Sequence, residues 1–119
     1  MYGAPPKTAP PKADLRLSRR AASDLAEIAD YTILEFGIDQ ARLYRDQFQA
    51  CFRSFLANPQ LGRSAGEVAP GLRRIRQQAH VVFYRVERDG LLIVRVVEHG
   101  MDFKRYFLRD RVVAWIAVD

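Results

Sequence analysis

Two long amphipathic patterns that follow one another along the chain constrain its fold more than any other feature. In the first, apolar residues recur at steps of three and four, the spacing that places side chains on one face of a helix. These residues are Leu25, Ile28, Ala29, Thr32, Ile33 and Phe36, with the acidic Asp24, Glu27, Asp30 and Glu35 mostly on the other sides. Ser18 is a typical N-cap and Gly37 a typical helix stop. The sequence therefore predicts a first helix from about Arg19 to Phe36.

The second pattern predicts a second helix, which Asp39 caps and the Asn58-Pro59 pair ends. Its apolar positions are Ala41, Tyr44, Phe48, Cys51 or Phe52, and Phe55. Because only Gly37 and Ile38 separate the two patterns, the helices are expected to form an antiparallel hairpin. The three phenylalanines are expected to face a sheet.

Short segments of β character surround this hairpin. One precedes it at residues 14–17, and three follow a loop rich in glycine over residues 60–71: Leu72 to Gln77, His80 to Glu87 and Leu91 to Glu98. The last two are joined by Arg88-Asp89-Gly90, and Asp-Gly is a strong hairpin signal. The whole pattern predicts an α+β fold: an N-terminal strand, an antiparallel α-helical hairpin packed on a small antiparallel β-sheet, and a short C-terminal segment.

The two ends of the chain differ in composition from its middle. Residues 1–14 hold four of the six prolines and almost no large apolar side chain, so we expect a flexible tail. Residues 109–119 are rich in valine and contain Trp115, and so much apolar surface is expected to dock on this chain or on a partner. The predicted domain therefore covers residues 15–108, and its last part, from Met101 to Leu108, is amphipathic.

Composition narrows the class of protein. With 119 residues, 49% of them hydrophobic, the chain matches one small globular domain. Its apolar runs fall far short of the roughly 20 residues that span a bilayer, and prolines occupy the region where a signal peptide needs an apolar stretch. A single cysteine and two histidines are too few for a disulfide scaffold or a structural zinc site. We therefore expect a cytoplasmic protein with no membrane association, metal or cofactor.

Arginine carries almost all of the positive charge. Nineteen Lys and Arg against fourteen Asp and Glu give a net charge of +5, and sixteen of the cations are arginines. Guanidinium groups form a fixed fork that suits carboxylate or phosphate, so an acidic protein segment or a nucleic acid is the expected partner. The densest group is Arg73, Arg74 and Arg76, with Arg85 and Arg95 expected to share one face of the following strands. A solvated sheet face is the alternative.

One candidate for chemistry lies at the end of the last long strand. Glu98 and His99 occupy it, with His80 and Tyr84 on the preceding strand and Tyr106 downstream. A carboxylate, an imidazole and a phenol can act as general acid and base on an RNA 2′-hydroxyl. Adjacent strand residues point to opposite faces, however, so Glu98 and His99 reach one atom only through a local bend. The alternative is a structural histidine at a strand end.

Aromatic residues follow the helical spacing of both predicted helices, and most of them are assigned to the core. Tyr31 and Tyr44 fall nearer its margin. At that position they can line a groove for a partner helix.

The order of motifs along the chain resembles that of the ParE toxins of the RelE/ParE superfamily. The resemblance is carried by LRLSRRAASDLAEIADYTILEFGIDQARLY, ANPQLGR, GLRRI, HVVFYRV and IVRVVEHGMDFKRYF, which follow one another without large gaps. It covers about Leu15 to Leu108. The fold that it implies is a helical hairpin on a small antiparallel sheet, the arrangement that the periodicity also predicts.

The resemblance implies a toxin of a type II ParDE toxin–antitoxin system that inhibits DNA gyrase by stabilising its cleaved DNA complex. It implies a non-catalytic protein that is neutralised in a hetero-oligomer with a ParD antitoxin and meets DNA only through antitoxin and gyrase. The residues expected to bind antitoxin are Tyr31, Tyr44, Arg73, Arg74, Arg76 and Arg85. Those expected to inhibit gyrase are Met101, Asp102, Phe103, Arg105 and Tyr106.

The chain departs from the ParE pattern near its C-terminal end. Glu98 stands where many members have histidine, and Arg105-Tyr106-Phe107 stands where RHL is frequent. The same superfamily includes RelE-like ribosome-dependent mRNA endonucleases. Arg85, Glu98, His99 and Tyr106 are the residues that would supply such an activity here, and it is the alternative function.

Overall fold

The computed structural model describes residues 14–100. Its elements follow the chain as β1 (Asp14–Leu17), α1 (Arg19–Phe36), α2 (Ile38–Ala57), β2 (Arg63–Ser64), β3 (Leu72–Gln77), β4 (His80–Glu87) and β5 (Gly90–Glu98). Both predicted helices and all four predicted strands are confirmed, and the two-residue β2 lies inside the segment predicted as a loop. Residues 1–13 of the Pro-rich tail, the segment from Met101 to Leu108 and the extension 109–119 lie outside the described residues.

The strands form one mixed sheet in the order β1-β5-β4-β3-β2. The pairs among β2, β3, β4 and β5 are antiparallel, as predicted, but β1 runs parallel to β5. The predicted N-terminal strand thus joins the antiparallel strands in parallel at one edge, where no tight turn fixes the relative direction of the two strands. The two strands approach so closely that a Cβ at Gly90 would lie 1.9 Å from the carbonyl oxygen of Asp14. Glycine is required at this position for the pairing.

Both helices pack on one face of the sheet. The buried side chains on this face are Ala21, Phe48, Phe52, Phe55, Val82, Tyr84, Leu91, Ile93 and Val96. The three phenylalanines predicted to face the sheet are therefore confirmed there. Phe55 stacks on Tyr84 with ring centroids 4.1 Å apart. The hydroxyl of Tyr84 donates to the carbonyl of Pro59 and accepts the N–H of Gly62, so this tyrosine ties the turn after α2 to the sheet.

The opposite face of the sheet is covered by the chain between β2 and β3. Ala65, Val68 and Ala69 of that loop pack against Leu72, Val81, Phe83, Leu92, Val94 and Val97. The interior strand β5 is thereby buried on both faces. This explains why residues 91–97 form an almost unbroken apolar run instead of an alternating one.

The helix ends follow the sequence signals with one exception. Ser18 caps α1 as predicted, because its Oγ accepts the N–H of Ala21 at 2.9 Å. Gly37 separates the helices with a φ of 93°, a left-handed value that favours glycine. Asp39, predicted as the cap of α2, lies instead in the first turn of that helix, which has no side-chain cap. Its carboxylate there complements the positive end of the helix dipole.

A bulge interrupts the pairing of β5 with β4. The register shifts by one residue, which leaves Val94 as an extra residue in β5. The beginning of α1 supplies partners for the backbone on both sides of the shift. Ser18 Oγ donates to the carbonyl of Val94 at 2.7 Å, and Asp24 Oδ2 accepts the N–H of Val96 at 2.8 Å. The bulge and the first turns of α1 are therefore one hydrogen-bonded unit.

Asp24 also forms a buried, two-pronged ion pair with Arg95. Arg95 Nε lies 2.8 Å from Oδ2 of Asp24, and Nη2 lies 2.9 Å from Oδ1. The side chain of Arg95 is fully buried and that of Asp24 nearly so. The expectation that Asp24 lies on the polar side of α1 is wrong, because its carboxylate faces the sheet and accepts hydrogen bonds from Arg95 and from the backbone of Val96.

The expectation that Arg85 and Arg95 share one exposed sheet face is also wrong. The guanidinium of Arg95 binds Asp24 of α1, whereas that of Arg85 donates to Glu87 of its own strand. Arg95 is buried beneath α1. It is therefore inaccessible to a phosphate or to a carboxylate of a partner.

Replacing Asp24 with asparagine is expected to lower the free energy of unfolding by about 3 to 5 kcal/mol, because the guanidinium of Arg95 would stay buried without its counter-charge. Urea unfolding followed by circular dichroism measures this loss. Asp39→Asn is the matched control, since Asp39 makes an exposed ion pair with Arg42 and its loss should change stability little. Equal losses of stability in the two variants would show that the buried Asp24–Arg95 pair stabilises the fold no more than the exposed Asp39–Arg42 pair does.

Candidate functional site

An apolar groove of about 470 Å³ lies beside the helical hairpin. We name it the hairpin groove. The edge strand β1 contributes Leu15 and Leu17 to its lining, α1 contributes Leu25, Ala29, Thr32 and Ile33, and α2 contributes Ile38, Ala41, Tyr44, Phe48 and Phe52. Three elements thus present a mostly apolar surface that is open on one side.

Polar groups of the hairpin groove come mainly from α2. Arg42 and Arg45 line it. Arg42 pairs with Asp39 at 3.6 Å and Arg45 with Asp46 at 3.1 Å, and all four side chains are largely exposed. Exposed pairs of this kind contribute little to stability. A carboxylate of a bound partner can therefore compete for either guanidinium.

Apolar exposure continues on α1 beside the hairpin groove. Phe36 and Leu34 are both exposed, although the helical spacing predicts Phe36 in the core. Tyr31 packs edge-on against Phe36 and is exposed as well, and it does not line the groove. An apolar groove with further exposed apolar side chains beside it is typical of a partner-binding surface.

Tyr44 connects the hairpin groove to the sheet. Its ring packs on Phe48 with centroids 4.6 Å apart, and its Oη lies 2.6 Å from Nδ1 of His80. His80 lies directly opposite Glu98 in the pairing of β4 with β5. The structure therefore brings Tyr44, His80 and Glu98 together, whereas the sequence analysis assigns Tyr44 to a different candidate surface. Helix periodicity alone contains no signal for a contact between residues this far apart in the chain.

Burial controls the protonation of this contact. It lowers the pKa of His80 below the ordinary value, although the carboxylates of Glu98 and Asp24 oppose the shift. It raises the pKa of Tyr44, opposed by a hydrogen bond with the backbone of Ala79. At neutral pH the contact therefore joins an uncharged imidazole to an uncharged phenol, and it acts as a structural hydrogen bond between α2 and β4.

A second concavity, of about 490 Å³, has a cationic lining. Arg63, Arg74, Arg76 and His99 line it, and we name these four residues the basic patch. Arg74 pairs with Glu67 at 3.2 Å, and Nε of Arg76 donates to the carbonyl of Gln78 at 2.8 Å. No residue lines both the basic patch and the hairpin groove, so the two are separate surfaces.

The arginines predicted to bind antitoxin are divided between surfaces. Arg74 and Arg76 belong to the basic patch. Arg73 directly precedes Arg74 in β3, so it points to the other face, and its Nε donates to the carbonyl of Gly62 at 2.9 Å. Arg85 donates to Glu87 at 2.7 Å. The alternation of side chains along β3 and β4 thus separates arginines that the sequence analysis treats as one cluster.

Glu87 links β1 to the hairpin of β4 and β5. Its carboxylate accepts hydrogen bonds from Arg85 and from Arg16 of β1. Burial alone would raise the pKa of Glu87, but the hydrogen bonds from the two arginines outweigh it and lower the pKa. Arg85 is therefore part of a structural ion-pair network at this edge of the sheet.

The described residues of the alternative catalytic set do not meet at one point. Arg85 and the residue opposite Glu98 are five positions apart along β4, which corresponds to about 17 Å at 3.3 to 3.4 Å per residue. His99 lines the basic patch, whereas Glu98 does not. Tyr106 lies outside the described residues, as do the other residues predicted to inhibit gyrase: Met101, Asp102, Phe103 and Arg105.

Three further observations concern the described residues. Neither α1 nor α2 is long and apolar enough to cross a bilayer. Within residues 14–100, no group of three or more His, Cys, Asp or Glu side chains is placed to hold a metal ion. Cys51 is half-buried in α2, and burial raises the pKa of its thiol to about 11, so its reactive thiolate form is scarce at neutral pH.

A helical hairpin on a mixed sheet, with an open apolar groove and a separate basic patch, defines a small α+β protein with surfaces suited to another protein. The sequence model of the ParE toxin of type II toxin–antitoxin systems, parDE, matches residues 15–103. The chain therefore belongs to the ParE toxin family, and the resemblance inferred from its motifs is confirmed.

Individual relatives agree with the family match. The chain is 39% identical over 90 residues to Toxin ParE1 of Mycobacterium tuberculosis, which covers 75% of this chain and 92% of that protein. It is 35% identical over 91 residues to Toxin ParE1 of Caulobacter vibrioides, and this match covers 76% of this chain and 94% of that protein. A solved structure of a chromosomal ParDE TA system from P. aeruginosa has a TM-score of 0.62 at 24% identity, over 72% of this chain and 95% of that one. At this identity the structural match shows the fold alone.

The pKa of His80 is expected to fall further when Glu98 is replaced by glutamine, because the carboxylate opposite it favours the imidazolium. Titration of the His80 ring protons by NMR measures the shift. The lowered pKa also makes stability depend on pH. Because the unfolded chain binds the proton of His80 more tightly than the folded chain does, the free energy of unfolding falls as pH drops below about 6.5. Glu67→Gln is the control, since Glu67 pairs with Arg74. An upward shift in Glu98→Gln would contradict the arrangement.

Proposed function

We propose that a ParD-type antitoxin neutralises this toxin by binding along the hairpin groove, and that the free toxin inhibits DNA gyrase. One observation carries the first part: three elements present an apolar groove that no other part of residues 14–100 fills. The fold shared with the ParDE TA system of P. aeruginosa supports a partner of the ParD type.

Burial of apolar surface is the main source of affinity that the hairpin groove offers. Ile33 and Ile38 are 40% and 51% exposed, and covering apolar surface contributes about 25 cal/mol per Å². A partner segment with apolar side chains along one face would cover both. Arg42 and Arg45 would donate hydrogen bonds to carboxylates that flank such a face. The matching antitoxin segment is therefore apolar along the groove and acidic beside it.

The basic patch gives the antitoxin a second area of contact. Arg74 and Arg76 are its members from the predicted set, and a charge-assisted hydrogen bond to either would contribute on the order of 1.5 to 3 kcal/mol. Arg73 and Arg85 do not line the basic patch, so we assign them a supporting role at the edge of this contact. Tyr31 is assigned a flanking contact on α1.

Ile38→Ser is expected to weaken antitoxin binding at least about tenfold, because it removes apolar contact worth more than about 1.4 kcal/mol. Isothermal titration calorimetry with the cognate ParD antitoxin measures the change. Leu43→Ser is a closely matched control: Leu43 lies on the same helix and is 49% exposed, but it does not line the groove. If both variants bind equally well, the antitoxin uses a different surface.

The second part of the proposal concerns gyrase. Family membership supports it, since the chain is a toxin of the ParE family. The segment from Met101 to Tyr106 follows directly after β5 and contains Phe103 and Arg105; aromatic residues and arginines are common anchors of protein interfaces. The separation of Arg85 from Glu98 and His99 agrees with inhibition by binding instead of catalysis.

Purified toxin added to gyrase, plasmid DNA and ATP is expected to block supercoiling and to trap linear DNA, and the cognate antitoxin should reverse both effects. Phe103→Ala and Arg105→Ala should abolish the trapping while leaving antitoxin affinity unchanged. Arg53→Ala is the control, because Arg53 is an exposed residue of α2 outside both surfaces. Absence of any effect on gyrase, together with ribosome-phased mRNA cleavage after induction, would instead establish the RelE-like endonuclease alternative.

A further inference from the structure

The part of the chain that the structure describes ends close to the hairpin groove. The N–H of His99 donates to the carbonyl of Ala79 at 2.8 Å. His80, which follows Ala79 in the chain, is in contact with Tyr44, and Tyr44 lines the groove. The last described residues therefore lie between the basic patch, which His99 lines, and the hairpin groove.

The segment after Gly100 is long enough to reach any point of the hairpin groove. Residues 101–118 span up to about 60 Å at roughly 3.3 Å per residue. By comparison α1, with 18 residues, is about 27 Å long at 1.5 Å per residue. An extended connection through residues 101–111 spans up to about 36 Å at roughly 3.3 Å per residue, which is long enough to reach along the groove.

The chemistry of this segment matches that of the groove. Its apolar residues are Val112, Val113, Trp115, Ile116 and Val118. A cluster of this kind is seldom left in water on a small protein, and the hairpin groove offers it a mostly apolar concavity within residues 14–100. Asp110 and Asp119 flank the cluster, but so do Arg109 and Arg111, so the match to the groove rests on the apolar residues.

We propose that the hairpin groove of the free toxin is occupied by the chain's own segment from Val112 to Val118. Because the segment is tethered at Gly100, its effective concentration at the groove is in the millimolar range for a short flexible connection. A second copy of the chain reaches that concentration only in concentrated solution. The tether therefore favours the intramolecular occupant over a dimer.

This inference concerns the free chain and does not depend on gyrase or antitoxin. One consequence rests on the proposed function: an antitoxin that binds along the hairpin groove must first displace the segment. Its apparent affinity would then be reduced by the fraction of chains in which the groove is closed.

Trp115 makes the test direct, because it is the only tryptophan of the chain. In the full-length protein its emission is expected to be blue-shifted, and acrylamide is expected to quench it several-fold less than free indole. Ile33→Asp should shift the emission to the red and increase the quenching. Leu34→Asp is the matched control: Leu34 is 82% exposed, against 40% for Ile33, and it does not line the groove. Far-ultraviolet circular dichroism establishes that both variants fold.

Nuclear Overhauser contacts between the Trp115 ring and the methyl groups of Leu17 or Ile33 provide a second readout in the unsubstituted protein. The proposal is overturned by solvent-exposed Trp115 emission in that protein. It is also overturned by blue-shifted emission that Ile33→Asp leaves unchanged, which would mean docking elsewhere. Emission that shifts to the red on roughly hundredfold dilution would identify a second copy as the occupant. The test contains neither antitoxin nor gyrase, so its failure would leave the proposed function unaffected.

Discussion

The carboxylate of Asp24 is the group on which the rest of the structure depends. Removing a charged pair from water is costly, and the cost is repaid only when the geometry is good and the remaining hydrogen bonds are made. Here Arg95 donates from two nitrogen atoms and the backbone of Val96 supplies a third bond. Any other register between α1 and β5 would leave Arg95 buried without its partner. We therefore interpret the pair as the contact that selects one docking of the hairpin on the sheet.

The same anchoring explains where the hairpin groove lies. α1 is held to β5 near its beginning, by Ser18 and Asp24, and α2 is held to the sheet near its end, by Phe52 and Phe55. In an antiparallel hairpin these two regions lie at the same end. The opposite end, around Gly37, is left with uncovered apolar side chains, of which Ile33 and Ile38 line the groove and Leu34, Phe36 and Leu43 lie outside it. The uncovered end of the hairpin thus supplies Ile33 and Ile38 to a surface for a partner.

Local signals predicted the elements well, and nonlocal contacts account for the errors. Helix caps, glycines and apolar periodicity predicted both helices and the strands of the β4–β5 hairpin, because each of these signals lies within or next to the element that it defines. The parallel direction of β1, the bulge at Val94 and the inward position of Asp24 depend on residues about 70 positions apart. The candidate site was predicted in part: Tyr44 lines the groove, but the arginine cluster is split by the strand alternation. Arg42 and Arg45 were missed because an arginine on a helix is usually solvated.

Hydrogen exchange at the backbone amide of Val96 tests the central role of Asp24 most directly, because this N–H donates to the Asp24 carboxylate. We predict that it exchanges only through global unfolding, as slowly as the best protected amides of β5. In Asp24→Asn, its protection and that of α1 should fall together. Fast exchange of Val96 in the unsubstituted protein, or unchanged protection of α1 in the variant, would contradict the account.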